Sequence, residues 1–125
     1  MGEPKLIEFE FHEDILVGRY LSDSPITGEI ARTIVQQRKT FTNGKACKMV
    51  IVFPKLSSID KNGREYLSSA EAKEDILAGA MVTPSLLSRV IINFFLKFNE
   101  SKKDNFPTKV FNTEEEAVYW LKSLN

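Results

Sequence analysis

The chain has 125 residues, the length of one domain, and 42% of them are hydrophobic, so it can bury a substantial core. Its 17 basic and 17 acidic residues give zero formal net charge, which excludes a nucleic-acid binder that relies on a basic surface. With one cysteine, no apolar run of membrane-spanning length and no signal-peptide pattern, we expect a single cytoplasmic domain over residues 1–125 with no transmembrane segment.

Two strands and a helix are predicted first. Residues 5–11 alternate between charged and apolar side chains, as in a strand with one buried face, and residues 15–21 form a second strand after a polar break. The pair predicts an antiparallel hairpin. A helix is then expected to begin at Asp23-Ser24-Pro25 and to end at Asn43-Gly44. Its apolar stripe contains Ile26, Ile30 and Ile34, and its solvent side contains Arg32, Gln36 and Arg38.

The segment CKMVIVFPKLSSIDKNGREYL, residues 47–67, is central to the prediction. Residues 49–53 are an unbroken apolar run rich in β-branched side chains, typical of a strand that is covered on both faces. Pro54 ends the run because proline has no N–H for the sheet. A polar loop follows, and a helix is expected from Asp60 to about Lys73.

Three further elements complete the chain. Residues 76–82 predict a buried strand, and Thr83-Pro84 predicts a helix start with a cap and a first-turn proline. Residues 107–111 predict a short last strand, and Thr113 to Glu116 form a capping box at the start of the last helix. The expected fold is α/β: a mixed sheet of about five strands, antiparallel at the N-terminus and parallel afterwards, with about four helices.

No recognisable set of catalytic or metal-binding residues is present in the sequence. The single histidine, His12, falls in the predicted hairpin turn, and Cys47 begins a buried strand, where it is expected to be an inert small hydrophobe. The sequence has no cluster of residues at the spacing of metal ligands, and it has no glycine-rich phosphate-binding loop. We therefore expect a protein that is not an enzyme and that uses no cofactor or metal.

The polar loop after residues 49–53 and the start of the next helix are the predicted binding edge. Because the carboxyl ends of parallel strands meet at one edge of a sheet, two helix N-termini are expected to converge there. Free N–H groups at such ends favour an anionic group or an acidic side chain of a partner. The candidate binding residues are Ser57, Ser58, Asp60, Lys61, Asn62, Gly63, Thr83 and Ser85.

Each role at this edge follows from residue type. Asp60 caps the helix and orients the loop, Lys61 supplies positive charge, and Gly63 permits close approach. Ser58 and Thr83 offer hydroxyl groups and helix-start contacts. The helix caps alone also explain this pattern without any ligand.

The helix after Pro84 carries more apolar residues than one stripe needs. Leu86, Leu87, Val90, Ile91, Phe94, Phe95 and Phe98 cover one half of its circumference, which we expect to face the core. Ile92 and Leu96 fall on the other half, and they predict either scattered surface apolar residues or a face for an oligomer or a partner.

The pattern S-x-I-D-x-x-G-x-x-x-L after a buried strand resembles the core of STAS domains, the anti-sigma-factor-antagonist fold. The tail FPTKVFNTEEEAVYWLKSL is similar to the ending of a bacterial STAS/SEC14-like group, mostly uncharacterised. The resemblance implies a STAS scaffold over nearly the whole chain. It implies a phosphorylated serine directly after the Asp, but this chain has Lys61 there, which cannot accept phosphate, and Ser57 and Ser58 lie upstream.

The sequence thus predicts a regulatory or interaction module that binds a partner protein, or a small anionic ligand, at residues 57–63 and 83–85. Self-association into a homo-oligomer is a further expectation. The alternative is an apolar-ligand or lipid carrier of CRAL-TRIO character, in which the ring-rich helix at residues 94–98 lines a cavity. A small enzyme of unknown class is the lesser alternative.

Overall fold

The structure is a computed structural model that describes residues 5–100, apart from the side chain of Glu100, and residues 106–124. In these residues a sheet and its helices follow the predicted order, with one extra short helix. The elements are β1 Ile7–His12, β2 Ile15–Tyr20, α1 Gly28–Thr42, β3 Cys47–Val52, α2 Lys61–Leu67, α3 Ala70–Lys73, β4 Ile76–Val82, α4 Leu86–Glu100, β5 Thr108–Phe111 and α5 Glu114–Ser123.

The sheet has the strand order β1-β2-β3-β4-β5. The hairpin β1–β2 is antiparallel, whereas β2–β3, β3–β4 and β4–β5 are parallel. The predicted mixed α/β sheet is confirmed. β3 lies in the middle. Met49, Val50 and Ile51 are buried as predicted for residues 49–53, whereas Val52 and Phe53 are half-buried.

The two faces of the sheet are covered by different elements. On one face α5 packs through Ala117 and Leu121 against a cluster that includes Val50 and Ala80. The small residues Ala78 and Ala80 of β4 therefore allow the close approach of this helix. On the opposite face the remaining helices cover clusters that include Tyr20, Leu56 and Ile92.

α1 begins later than predicted. Its N-cap is Thr27, whose side chain accepts a hydrogen bond from the Ile30 N–H at 3.2 Å, so the expected start at Asp23-Ser24-Pro25 is wrong. The reason is tertiary: Ile26 is extended and forms a parallel β-bridge with Ile59. The residues before Thr27 are thus used for pairing with the loop after β3, and they cannot join the helix.

Two other boundaries depend on caps. The helix expected up to Lys73 is divided, because Ser69 caps a second helix, α3, by accepting a hydrogen bond from the Ala72 N–H at 3.2 Å. At α5 the predicted N-cap is confirmed, since the Thr113 hydroxyl accepts the Glu116 N–H at 3.2 Å. The Glu116 carboxylate accepts from the same hydroxyl at 3.2 Å, in place of the backbone N–H that a capping box would use.

Candidate functional site

The polar loop after β3 is fastened to its neighbours on both sides. Leu56 is buried, and its N–H donates to the Ser88 hydroxyl at 2.8 Å, which ties the loop to α4. On the other side the Ile26 N–H donates to the Ser58 carbonyl at 2.9 Å, and the Asp60 N–H donates to the Ile26 carbonyl at 3.1 Å. The loop is therefore held in a fixed position between α4 and the segment before α1.

The predicted structural roles of Asp60 and Gly63 are confirmed. Asp60 caps α2, since its Oδ1 accepts the Gly63 N–H at 2.7 Å. A Cβ at Gly63 would lie 2.5 Å from the Ile26 carbonyl oxygen, so this position needs glycine for a close backbone approach. That approach is to the chain's own backbone, and Gly63 is buried beneath it.

Four of the predicted binding residues have accessible side chains. Ser57, Ser58, Lys61 and Asn62 are all exposed. They lie on the loop and on the first turn of α2, between Leu56 and Arg64, two residues that contact α4. Binding by these four residues stays a prediction.

The role predicted for Thr83 needs correction. Thr83 is 0% exposed, its N–H donates to the Phe111 carbonyl, and its hydroxyl accepts from the Ser85 N–H at 3.3 Å. It therefore offers no hydroxyl to a ligand, and it does not cap α4. Ser85 is the residue that caps α4, because its hydroxyl accepts the Ser88 N–H at 3.2 Å.

The expected orientation of α4 is wrong. The sequence predicts Ile92 and Leu96 on the outer half, but Ile92 is 2% exposed and belongs to the core, and Leu96 packs half-buried against the same cluster. The predicted partner face at Ile92 and Leu96 is therefore not on the surface. Ser88 is completely buried on the same side, because its hydroxyl bonds the Leu56 backbone.

The side of α4 that was expected to face the core is instead largely exposed. Leu86 is 81% exposed, and Leu87, Val90 and Phe94 are each more than 60% exposed. We call these four residues the α4 outer face. On a helix they lie within about a third of the circumference, so they form one apolar patch. The sequence signal for this patch is the excess of apolar residues on α4, but the sequence analysis predicted that these residues face the core.

Arg64 joins this patch to the polar loop. One of its guanidinium nitrogens, Nη1, donates to the Ile59 carbonyl at 2.8 Å, and its Cζ lies 5.5 Å from the ring centre of Phe94 and 5.8 Å from that of Phe98. Lys61 is one turn earlier on α2, and Lys97 is exposed on α4. The α4 outer face is thus bordered by cations, a feature that the sequence analysis missed because it arises only when α2 and α4 meet.

The predicted burial of Cys47 is confirmed, and the thiol is free. Burial raises the pKa of this thiol, although the nearby guanidinium of Arg38 acts in the opposite direction. The neutral form is the less reactive one, in agreement with a packing role. Among residues 5–100 and 106–124, no group of three or more His, Cys, Asp or Glu side chains is placed to hold a metal ion.

A cavity of about 120 Å³ lies between the sheet and the helices on the α1 and α4 side. Its walls include Ile34, Met49, Ile92 and Phe95. Arg38 also reaches this cavity and is 4% exposed, so its predicted place on the solvent side of α1 is wrong. In the described part of the chain, every helix falls short of the length and apolarity needed to cross a bilayer.

The sheet order and the loop after the central strand define the class of this protein as an α/β domain of SpoIIAA-like, or STAS-like, fold. A similar solved structure is an uncharacterised protein of the DUF3478 family with a SpoIIAA-like fold from Shewanella loihica PV-4. It has a TM-score of 0.63 and 14% sequence identity, over 97% of this chain and 98% of that chain. The predicted STAS-like fold is therefore confirmed.

The particular family is defined by the sequence itself. Residues 9–125 match the model of a domain of unknown function, DUF7793, and the chain belongs to that family. No curated protein matches the chain significantly.

Proposed function

We propose that this protein is a non-enzymatic interaction module whose binding surface consists of the α4 outer face, Arg64 and the exposed residues of the loop before α2. The observation that carries the proposal is the exposure of the α4 outer face. Four large apolar side chains on one helix face are an unfavourable surface for a free protein, and contiguous patches of this kind mark sites of association. A partner that covers this patch gains about 25 cal/mol of binding free energy per Å² of apolar surface removed from water.

The charge around the patch indicates what kind of partner fits. Lys61 and Lys97 are exposed on α2 and α4, and Arg64 lies over the ring of Phe94. Residues 86–99 of α4 contain no acidic residue, and Glu65 is the one exposed acid of α2. A complementary ligand therefore has apolar anchors and acidic flanks, as in an acidic amphipathic segment of another protein.

Self-association is less favoured by the same charges. In a two-fold dimer the same patch meets itself, so Lys61, Arg64 and Lys97 of one copy would face like charges of the other. Like charges placed together across an interface cost free energy. We therefore commit to a heterologous acidic partner rather than to a second copy.

A small anion at the edge of residues 57–63 and 83–85 is also less favoured. The Gly63 N–H at the start of α2 is already bonded to Asp60, and the Ser88 N–H at the start of α4 is bonded to Ser85. Asp60 adds a negative charge of its own. The exposed residues of this edge thus serve better as the border of a protein interface than as an anion pocket.

The alternative function of a lipid carrier is disfavoured by the small volume of the cavity. A lipid tail needs a pocket of several hundred Å³, and the cavity beneath α4 measures about 120 Å³. Phe94 points away from it, since this ring is exposed beside Arg64.

Site-specific photocrosslinking tests the proposed interface. A photoreactive benzoylphenylalanine is placed at Val90 in cells of the organism that encodes the chain, and crosslinked products are identified by mass spectrometry. The expected result is one dominant partner, crosslinked through an acidic amphipathic segment, and loss of the product in the Arg64→Glu variant. A product that consists of two copies of this chain would overturn the choice of partner.

Tyr119 provides the matched control position. It lies on α5 and is 79% exposed, comparable to Val90, but the other exposed residues of α5 are polar. The same probe at Tyr119 should give only background products. Equal products at the two positions, or none at Val90, would refute the interface.

A further inference from the structure

The cavity under α1 and α4 has an unusual combination of walls. Most of its lining is aliphatic or aromatic, and among residues 5–99 and 106–124 no aspartate or glutamate contributes to it. The polar exceptions are Tyr20, Arg38, Lys73, Asn99 and Thr108. Two of these side chains, Arg38 and Lys73, are cationic and buried, so the cavity combines apolar walls with positive charge.

Arg38 is the better defined of the two cations. Its guanidinium donates to the Ala72 carbonyl at 3.1 Å and to the Glu74 carbonyl at 3.0 Å, which holds the group at the end of α3. These two bonds use two of its five N–H groups. The position of the charge is thereby fixed, and N–H groups remain for a further acceptor.

The carboxylates of Asp75 and Glu74 stabilise the charge of Arg38 at longer range, without a salt bridge. Within residues 5–100 and 106–124 its hydrogen bonds are made to backbone carbonyls, and none of the ion pairs includes it. Burial lowers the pKa of Arg38, which reflects the cost of removing the cation from water. An arginine remains charged in proteins nonetheless, so a carboxylate in the cavity would offset this cost.

We propose that the cavity binds a small hydrophobic carboxylate, with its apolar body among the side chains of the core and its carboxylate on Arg38. The volume limits the size of the ligand. An apolar cavity of about 150 Å³ accepts benzene, so about 120 Å³ sets an upper limit of about a single ring or a short branched chain for the apolar body. Inorganic phosphate would make no apolar contacts with the walls, and a neutral hydrocarbon would supply no negative charge to Arg38. This ligand is separate from the partner proposed for the α4 outer face.

Sodium benzoate and toluene are suitable probes because they share a ring and differ in the charge. Each is titrated into the full chain, and binding is followed by methyl and amide NMR shifts of residues that line the cavity. The wild type should bind benzoate at least about tenfold more tightly than toluene, a difference of one charge-assisted hydrogen bond. Equal affinities, or benzoate shifts confined to surface amides, would overturn the proposal.

Two variants separate the charge from the space. Arg38→Met keeps an unbranched side chain without the cation, so it should weaken benzoate at least about tenfold and leave toluene unchanged. Val35→Phe, one turn earlier on the same face of α1, fills the cavity and should abolish both. Unchanged benzoate affinity in either folded variant would refute the site. Should Arg38→Met not fold, the comparison of the two probes on the wild type still decides.

Discussion

The α5 face of the sheet and the opposite face differ in how completely they are filled. Under α5, Val50, Ala80, Ala117 and Leu121 are all 0% exposed, and small residues of the strand let the helix lie close. On the other face, several helices enclose a cavity of about 120 Å³ and a buried guanidinium, and α4 turns apolar side chains to solvent. One face has the packing expected of a stable core, whereas the other retains the space and the surface that binding needs.

The largest expected effect compares two core truncations. Leu121→Ala on the α5 face should lower the free energy of unfolding by about 4 kcal/mol, because its tightly packed surroundings cannot collapse around the lost atoms. Ile92→Ala should cost about 2 kcal/mol, because Ile92 already borders the cavity and has fewer contacts to lose. Urea unfolding measures both values. Equal losses would mean that the two faces are equally well packed.

Gly63→Ala tests how the loop is fastened on the face of the sheet opposite α5. The new Cβ would lie 2.5 Å from the Ile26 carbonyl oxygen, so α2 or the bridge at Ile26 must shift. A loss of about 2 kcal/mol in urea unfolding is expected from this overpacking. The neighbouring Asn62→Ala, at an exposed position, is the control and should change stability by less than about 0.5 kcal/mol. Similar values for the two would contradict the close approach.

Tyr66, on the face of the sheet opposite α5, should make the free energy of unfolding depend on pH. Burial and the hydrogen bond to Glu71 raise the pKa of Tyr66 to about 12, from an ordinary value of 10. The folded state therefore favours the neutral phenol. This contribution to stability is complete below pH 10 and is lost as the pH rises through 12.

Urea unfolding between pH 9 and pH 12 measures this loss. Tyr66→Phe cannot ionise at this position, so its stability should fall less over the same range than that of the wild type. A parallel decline in both proteins would show that other groups cause the alkaline instability.

The smallest effect is expected on the α4 outer face. Leu86→Ser and Val90→Ser should each change the free energy of unfolding by no more than about 0.5 kcal/mol, because both side chains are already in water. The photocrosslinked product at the same face should nevertheless be lost when Leu86 is changed. Substitutions at ordinary surface positions change the free energy of unfolding by about 0.5 kcal/mol. A loss of more than about 1.5 kcal/mol in the free protein would therefore mean that these residues are packed.

The sequence predicted the elements well because their signals are local. The apolar run at residues 49–53, the cap at Asp60 and the N-cap at Thr113 each depend on side chains within a few positions of one another. The four accessible residues of the proposed loop border were also found in this way. Arg64 and the α4 outer face were missed as parts of the surface, because they come together only through contacts between separate helices.

By itself the sequence determined the order of strands and helices, the burial of β3 and the position of the polar loop behind it. The tertiary structure decided where α1 begins, which side of α4 faces inward and that Arg38 is buried. Periodicity fixes which residues share a side of a helix, but α4 is apolar on nearly every side, so the pattern has no single inward direction. The hydrogen bonds between Ser88 and the Leu56 backbone link this helix to the loop with Ser88 and Ile92 turned inward, and no local signal contains that contact.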